Sequence, residues 1–311
     1  MDIVILGAIP HSTTAKASEA YIEKQAPVFA RLLKTHQAHT EWLDIAQLGC
    51  TPFEYYQLRQ AQYHSPSAHY AKGLGPLYCP ADFTIKHPQQ PIYLLELTHV
   101  EIGQHSAALY LASELNITKQ QGLGFMQSVQ EVLQNSPYSL LCHNSHTALL
   151  DLGEDFSADL LSPSLLATGY LNDWQYHHEL PRDLRRLLSE LQMLWFNSPL
   201  NQERQAQGQA TINSACIYGG ACFADFVQAP QTLLAKQSQL IIDCLYFSHL
   251  HQDWEHWLQQ LQQLEQSLQT LPKGQHRFIL CGFDRIVTLT PKPLWSKLFP
   301  QDWRQWWSQS K

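Results

Sequence analysis

The segment DIVILGA, residues 2–8, is almost entirely apolar and shows no alternation with polar residues. A run of this kind is typical of a strand that is covered on both faces, as in a parallel sheet between helices. The later segments QLIIDCLYF (239–247) and RFILCG (277–282) have the same character, and RIVTLT (285–290) follows directly. We therefore predict that these four segments form the sheet of one core.

Helical patterns lie between these strands. Residues 18–34 are predicted to form a helix that Pro27 kinks or splits. PRDLRRLLSELQMLWFN (181–197) has leucines at helical spacing, and a long helix is predicted from Asp253 to Leu271, with an apolar stripe opposite a glutamine-rich face. Strands that alternate with helices favour an α/β fold, here with a mostly parallel sheet flanked by helices.

The middle of the chain is richer in strand patterns than either end. PIYLLELTHVEI (91–102) is predicted to be a strand, and two further strands within residues 136–153 are predicted to form a hairpin around Asn144 and Ser145. We therefore predict a core made of residues 1–80 and 236–311. Residues 81–235 are predicted to form a smaller inserted α+β module.

The composition limits the classes of function. The chain has 311 residues, of which 44% are hydrophobic, with a net charge of −7 and only 20 Lys and Arg residues, so we expect neither a nucleic-acid nor a membrane partner. No apolar segment approaches the roughly 20 residues that cross a bilayer. Asp2 precedes the first apolar run where a signal peptide would have a cation, and the seven cysteines are odd in number and scattered. We therefore expect reduced thiols and a cytoplasmic protein.

One segment combines a cation, amides and glycines: NSPLNQERQAQGQATINSACIYGGA, residues 197–221. The guanidinium of Arg204 is suited to a carboxylate or phosphate, and the amides of Asn201 and Asn213 can donate to oxygens. Gly219 and Gly220 follow a predicted strand, where backbone N–H groups can approach an anion. We predict an anion-holding surface. The alternative is that these residues only cap a helix and shape the return of the chain to the core.

A second segment, SHLHQDWEH (248–256), has the side chains of a metal site. If the preceding strand continues, His249 and His251 share one face of it, and Asp253 and His256 are neighbours in the first turn of the next helix. Imidazole and carboxylate ligands suit zinc or manganese. The alternative is a strand-to-helix loop in which Asp253 is the N-cap. HNSH (143–146) and YHHE (176–179) are interpreted as polar turns.

The run from Leu187 to Ala221 resembles the archaeal-type, cofactor-independent phosphoglycerate mutases of the alkaline phosphatase superfamily. Six residues match the family's motif at its own spacing: Pro199, Asn201, Arg204, Gly208, Asn213 and Gly219. LGCTPFEYY (48–56) is a second, looser match. The chain is also similar to a smaller group of bacterial proteins described as phosphoglycerate-mutase-like or regulatory. The resemblance implies an alkaline-phosphatase-like core, a serine nucleophile and two divalent metals held by Asp and His.

The residues that the resemblance implies for this chemistry are replaced. The first strand, which ends in Asp in the family, has Gly7 and Ala8, and the family's nucleophile segment falls on residues 40–44. Thr40 is then the candidate nucleophile and Asp44 a candidate ligand. The family's late Asp and His fall near Asp253 and His256, and its final Gly-Asp-His becomes Gly-Phe-Asp at residues 282–284.

We therefore expect a catalytically degenerate phosphoglycerate-mutase-like protein that needs no metal cofactor. It would bind a small phosphorylated or carboxylate metabolite in a regulatory role. One alternative is an active mutase or phosphatase with manganese or zinc in a rearranged site, whose candidates are Thr40, Asp44, His249, His251, Asp253 and Asp284. Another alternative is a protein-interaction scaffold whose tail, LWSKLFPQDWRQWW (294–307), docks a partner, unless that tail is a helix packed on the core.

Overall fold

The computed structural model describes residues 1–103, 107–134, 136–153, 156–169, 180–230, 239–272, 274–292 and 302–309. The chain forms two compact units. Unit 1 consists of Met1–Ile45, Thr51–Tyr56 and Ala235–Lys311, and unit 2 consists of Ala46–Cys50 and Gln57–Leu234.

The described residues contain ten strands and twelve α-helices. The strands are β1 (Asp2–Ile9), β2 (His36–Trp42), β3 (Tyr93–Ile102), β4 (Ala107–Tyr110), β5 (Ser139–His143), β6 (Thr147–Asp151), β7 (Ser214–Gly219), β8 (Gln239–Ile242), β9 (Arg277–Gly282) and β10 (Arg285–Pro291). The helices are α1 (Ser12–Gln25), α2 (Pro27–Thr35), α3 (Ile45–Leu48), α4 (Pro52–Gln60), α5 (Leu74–Tyr78), α6 (Lys119–Leu133), α7 (Pro163–Ala167), α8 (Arg182–Phe196), α9 (Pro199–Ala206), α10 (Tyr246–Leu250), α11 (Trp254–Gln269) and α12 (Trp303–Trp307). None of these helices is long and apolar enough to cross a membrane.

The sheet of unit 1 is mixed. Its strand order is β2-β10-β9-β1-β8. β1 is parallel to β8 and β9, whereas β10 is antiparallel to both of its neighbours, β2 and β9. The α/β class is confirmed, but the prediction of a mostly parallel sheet is not, because β10 returns from β9 as a hairpin.

β1 lies in the middle of the buried core, as its apolar run predicts. Ile3, Val4 and Ile5 are fully buried, and burying an aliphatic side chain of this size contributes about 1.5–3 kcal/mol. Residues of α1, α2, α11 and α12 belong to the same hydrophobic cluster. Pro27 begins α2, so the predicted helix 18–34 is split at that residue into two helices.

Three tryptophans of the C-terminal tail, Trp303, Trp306 and Trp307, are part of this core. Trp303 and Trp307 are almost fully buried, and the indole Nε1 of Trp307 donates a hydrogen bond to the carbonyl oxygen of Ala15 at 3.0 Å. For residues 303–307 the packed-helix alternative is therefore confirmed. Residues 294–301 of the same tail lie outside the described residues.

Unit 2 contains an antiparallel sheet. β3 pairs with β4, β6 and β7, and β5 pairs with β6 in the predicted hairpin. Helices α6 and α8 pack on each other through the edge-to-face contact of Phe125 with Trp195 at 5.7 Å between ring centroids. The indole Nε1 of Trp195 also donates to Ser128 Oγ at 2.7 Å.

Two local predictions were wrong. The segment 239–247 is a strand only as far as Ile242, because the amide of Tyr246 bonds to the carbonyl of Asp243 in a turn that starts α10. A short apolar run does not by itself distinguish a strand from a buried helix. β2 was not predicted as a strand at all, since five of its seven residues, HQAHTEW, are polar.

Unit 2 includes residues 57–80, which the predicted boundary placed in the core. The reason is a close backbone approach between α5 and the sheet. A β-carbon on Gly75 would lie 2.0 Å from the carbonyl oxygen of Ile92, and one on Gly219 would lie 2.4 Å from the same oxygen. Only glycine at both positions lets α5 lie against β7.

A pair of alanine substitutions tests this approach. Gly208 and Gly219 both have positive φ, at 71° and 98°, but a β-carbon on Gly208 meets no atom within 4 Å. We expect Gly208→Ala to lower the free energy of unfolding by about 1 kcal/mol, the cost of left-handed backbone for alanine. Gly219→Ala should cost about 2–4 kcal/mol because the Ile92 carbonyl must also move. If urea-induced unfolding gives the two variants the same loss of unfolding free energy, the close approach at Gly219 does not contribute to stability.

Candidate functional site

Two of the candidate metal ligands of unit 1 lie at one edge of its sheet. β1, β2, β8 and β9 run in the same direction, so their carboxyl ends meet at this edge. Asp44 follows β2, Asp284 lies between β9 and β10, and the amide of Leu43 donates to the carbonyl oxygen of Asp284 at 2.8 Å. This is the edge at which open α/β sheets bind ligands.

The candidates do not form a ligand set there. Within the described residues, which include all six candidates, no group of three or more His, Cys, Asp or Glu side chains is arranged to hold a metal ion. Asp284 is paired with the fully buried Arg285, with 3.0 Å between Oδ1 and Nη1. Thr40 lies within β2, opposite Val287 of β10, and Asp44 is exposed.

The segment SHLHQDWEH forms a helix, a turn and a second helix. His249 lies in α10 and His251 directly follows it, so the prediction that they share one face of a strand was wrong. Asp253 is the N-cap of α11, where its Oδ1 accepts a hydrogen bond from the amide of His256 at 3.0 Å. For Asp253 the alternative of an N-cap is therefore confirmed.

Aromatic rings are packed together at this edge of unit 1. The ring of Phe283 lies 6.3 Å from that of His249 and 5.6 Å from that of His11, between centroids. Trp254 packs on the other side of His249 at 5.8 Å. We call His11, His249, Trp254 and Phe283 the aromatic cluster. Phe283 occupies the position where the resemblance implies the Asp of Gly-Asp-His.

The cluster closes over the end of β1 at Gly7. This residue has φ of +66°, and a β-carbon on it would lie only 2.7 Å from the Cβ of His249 and 2.8 Å from the carbonyl oxygen of Leu245. The indole Nε1 of Trp257 also donates to the Gly7 carbonyl oxygen at 2.8 Å. A side chain on residue 7 would therefore collide with His249 and with the carbonyl of Leu245.

The imidazole of His249 is neutral. The side chain is 3% exposed, and burial lowers its pKa from 6.5 to about 4. Its Nδ1 is buried and has no hydrogen-bond partner among the described residues. Apolar and aromatic neighbours thus hold a ring that carries no charge at neutral pH.

In unit 2, Arg204 is fully buried and binds protein groups. Its Nε donates to the carbonyl oxygen of Ala210 at 2.8 Å, its Nη1 to Gln121 Oε1 at 2.9 Å, and its Nη2 to the carbonyl oxygen of Leu115 at 2.6 Å. Burial lowers its pKa from the ordinary value. The guanidinium thereby ties α9 to the start of α6 and to the turn before it.

The two asparagines also hold the backbone. Asn201 is buried, its Nδ2 donates to the carbonyl oxygens of Trp195 and Ile212, and its Oδ1 accepts from the amide of Ile212, all at 2.8 Å. Asn213 bonds to both backbone groups of Val100 on β3, at 2.7 and 2.9 Å. Both amides therefore act as bridges between chain segments.

The glycine turn has its amides occupied as well. The amide of Gly220 donates to the carbonyl oxygen of Ile92 at 2.9 Å, and that of Ala221 donates to Lys72 at 3.0 Å. Gly219 lies in β7 against Tyr93. These contacts favour the alternative that the segment shapes the return of the chain. Binding of an anion by Asn201, Arg204, Asn213, Gly219 and Gly220 stays a prediction that the contacts do not support.

Of the two remaining histidine motifs, HNSH (143–146) lies within the described residues. In HNSH, the side-chain oxygen of Asn144 accepts from the amides of His146 and Thr147 at 2.8 and 2.9 Å, which confirms a polar turn. YHHE (176–179) lies outside the described residues. Sequence reasoning missed the aromatic cluster, although the apolar ring at Phe283 was a signal for it.

Comparisons with known proteins give only distant matches. No family model matches the chain, and no curated protein matches it. Among solved structures, it is similar to the cofactor-independent phosphoglycerate mutase of Thermoplasma acidophilum, with 13% identity, 94% of this chain and 89% of that chain covered, and a TM-score of 0.31. It is also similar to a protein of Pyrococcus horikoshii, with 9% identity, coverage of 93% and 87%, and a TM-score of 0.36.

Replacing Arg204 tests whether its buried guanidinium stabilises unit 2. We expect Arg204→Met to lower the free energy of unfolding by about 3 kcal/mol or more, because the buried acceptors on Gln121 and Leu115 and the carbonyl of Ala210 lose their donor. The control is Arg185→Met, at an exposed position of α8, where a change within about 0.5 kcal/mol is expected. If Arg204→Met is as stable as the control in urea, the structural role of the guanidinium is refuted.

The neutral His249 predicts a dependence of stability on pH. The folded state takes up the proton only near pH 4, whereas the unfolded chain takes it up near 6.5, so stability is lost as pH falls through this range. The loss attributable to this residue amounts to about 3 kcal/mol. His249→Phe keeps an aromatic ring in the cluster and should remove this part of the dependence. The measurement is the free energy of unfolding of the parent chain and of His249→Phe between pH 7 and 4. If the two curves are parallel, His249 does not contribute to the pH dependence.

Proposed function

We propose that this chain is a phosphoglycerate-mutase-like protein that does not carry out two-metal phosphotransfer and instead serves as a binding protein for a small anionic metabolite. The observation that carries the proposal is the aromatic cluster packed over Gly7. In unit 1 it fills the edge of the sheet at which the resemblance implies the metal ligands.

The chemistry of the family sets a strict requirement. Two divalent ions stabilise the attacking and leaving oxygens of the transferred phosphate, and each needs several anionic or imidazole ligands within about 2–2.5 Å. Here Gly7 lies two residues before the end of the first strand, the ring of Phe283 stands where the resemblance implies a carboxylate, and Asp284 pairs with a buried arginine. The donor set at this edge therefore does not fit two ions.

The other two functions have less support. A rearranged active site is favoured only by the neighbouring positions of Asp44 and Asp284, and no described third ligand joins them. A scaffold that docks a partner through the tail is weakened by the burial of Trp303 and Trp307. All seven cysteines are free, which agrees with the proposed cytoplasmic location.

An assay with metal and substrate tests the loss of phosphotransfer. Purified protein with Mn²⁺ or Zn²⁺ and 3-phosphoglycerate, or with a chromogenic phosphate ester, should give no turnover above a protein-free blank. Metal bound after dialysis, measured by atomic emission, should remain well below one ion per chain.

One pattern of activity among variants would contradict the proposed loss of phosphotransfer. Metal-dependent turnover that is abolished in Thr40→Ala and in Asp284→Asn, but kept in the exposed control Asp82→Asn, would establish the rearranged active site instead. Turnover that survives all three substitutions would indicate a contaminating enzyme and would leave the chain itself inactive.

A further inference from the structure

Unit 1 has a pocket of about 280 Å³ away from the aromatic cluster. It is bounded by α2, by the residues that follow α11 and by the start of β9. The apolar part of its wall is formed by Val28, Leu32, Leu268, Leu271, Phe278 and Pro291. Pockets for drug-sized molecules measure roughly 300–1,000 Å³, so this one suits a smaller ligand with an apolar body.

The polar part of the wall carries positive charge and no carboxylate. Arg31, His36 and His276 contribute to the pocket, and none of its lining residues is Asp or Glu. Arg31 is exposed, and its guanidinium has no ion-pair or hydrogen-bond partner among the described residues. An unpaired guanidinium beside an apolar wall can form a bidentate contact with a carboxylate or phosphate.

The carboxylate on the neighbouring helix is already occupied. Glu265 of α11 accepts hydrogen bonds from the amides of Val28 at 3.0 Å and Phe29 at 3.3 Å, at the start of α2. The ammonium of Lys292 donates to the carbonyl oxygen of Lys34 at 2.9 Å, on the same side of unit 1. Among the described residues that line the pocket, Arg31 carries the fixed charge, and that charge is positive.

Both histidines are held in fixed orientations. Their rings meet the ring of Phe278 edge to face, His36 at 5.6 Å and His276 at 6.2 Å between centroids. Backbone carbonyls fix the tautomers: His36 Nδ1 donates to Leu32 at 3.0 Å and His276 Nε2 to Pro272 at 2.7 Å. The other nitrogen of His276, Nδ1, is buried and has no partner among the described residues. Because Nε2 carries the ring proton, Nδ1 is an acceptor and does not bind an anionic head group.

The larger pocket of unit 2 is less selective. It measures about 600 Å³ and includes His69 and Asp159. Asp159 is paired with Lys72 at 2.8 Å, and His69 Nε2 bonds to the carbonyl oxygen of Leu160 at 2.9 Å. Because its charged groups are balanced, it favours no charge class of ligand.

We propose that the unit 1 pocket binds a small amphipathic anion. The aromatic or short aliphatic body of the ligand packs on Phe278 and the leucines, and its carboxylate or phosphate head binds the guanidinium of Arg31. This assignment rests on the proposed binding role of the chain, which it deepens by giving a site and a ligand class. It does not depend on the state of the phosphotransfer site.

Simple probes separate the parts of such a ligand. Phenyl phosphate and phenylacetate carry both the body and the head, benzyl alcohol has only the body, and inorganic phosphate has only the head. In calorimetric titrations we expect the better of the two complete probes to bind at least tenfold more tightly than either partial probe. The two complete probes also show which head the site prefers. In NMR titrations the ring nitrogen signals of His276 should shift.

Two variants locate the binding. Arg31→Gln should weaken binding about tenfold or more, as expected for the loss of a hydrogen bond between charged groups, whereas Arg185→Gln, at an exposed position of unit 2, should not. Leu271→Trp, which fills the half-exposed side of the pocket, should abolish binding while circular dichroism shows an unchanged fold. Equal affinity of Arg31→Gln and the parent chain, or binding no tighter than that of the partial probes, would overturn the assignment.

The test is separate from that of the proposed function. Metal-dependent turnover of 3-phosphoglycerate would refute the loss of phosphotransfer without affecting titrations at Arg31. Conversely, an inactive chain whose complete probes do not bind would refute this pocket alone.

Discussion

The left-handed backbone at Gly7 determines what the carboxyl edge of the unit 1 sheet can contain. Because this residue has no side chain, the Cβ of His249 lies within van der Waals reach of the end of β1, and Trp257 can donate to the Gly7 carbonyl oxygen. Any other residue would collide with α10 and would also strain the backbone. The packing of α10, of the neutral His249 and of the Phe283 ring depends on glycine at this position. Glycine at this position is thus a packing requirement.

Two buried arginines, one in each unit, show how this chain uses fixed charge. Arg204 binds two carbonyls and an amide oxygen in unit 2. Arg285 in unit 1 donates to the carbonyl oxygens of Trp307 and Gln309, pairs with Asp284 and lies 4.4 Å from the centroid of Trp42. Burying a guanidinium is costly unless its donors meet acceptors, and backbone carbonyls provide most of them here. Asp284 also pairs with Arg285, whose Nε has no partner among the described residues. Each arginine therefore connects segments that are separated along the chain.

Sequence reasoning succeeded where local pattern reflects burial. β1, β9 and the helices α8 and α11 carry apolar runs or stripes that packing demands, so they were predictable within a few residues. β2 was missed because an edge strand needs only one partner and tolerates polar residues on both faces. For Arg204 the residue type was informative, but its role depended on Gln121 and Leu115, 83 and 89 residues away. Spacing cannot say whether a guanidinium will meet an anion or a carbonyl.

The aromatic cluster also changes what stabilises the fold. Several carboxylates gathered at one edge repel one another unless cations neutralise them, so a two-metal protein depends on its ions for part of its stability. A neutral imidazole packed with three other rings at this edge brings no such repulsion. The unpaired positive charge of Arg31 lies at a different surface of unit 1, and it is there that we propose a binding site.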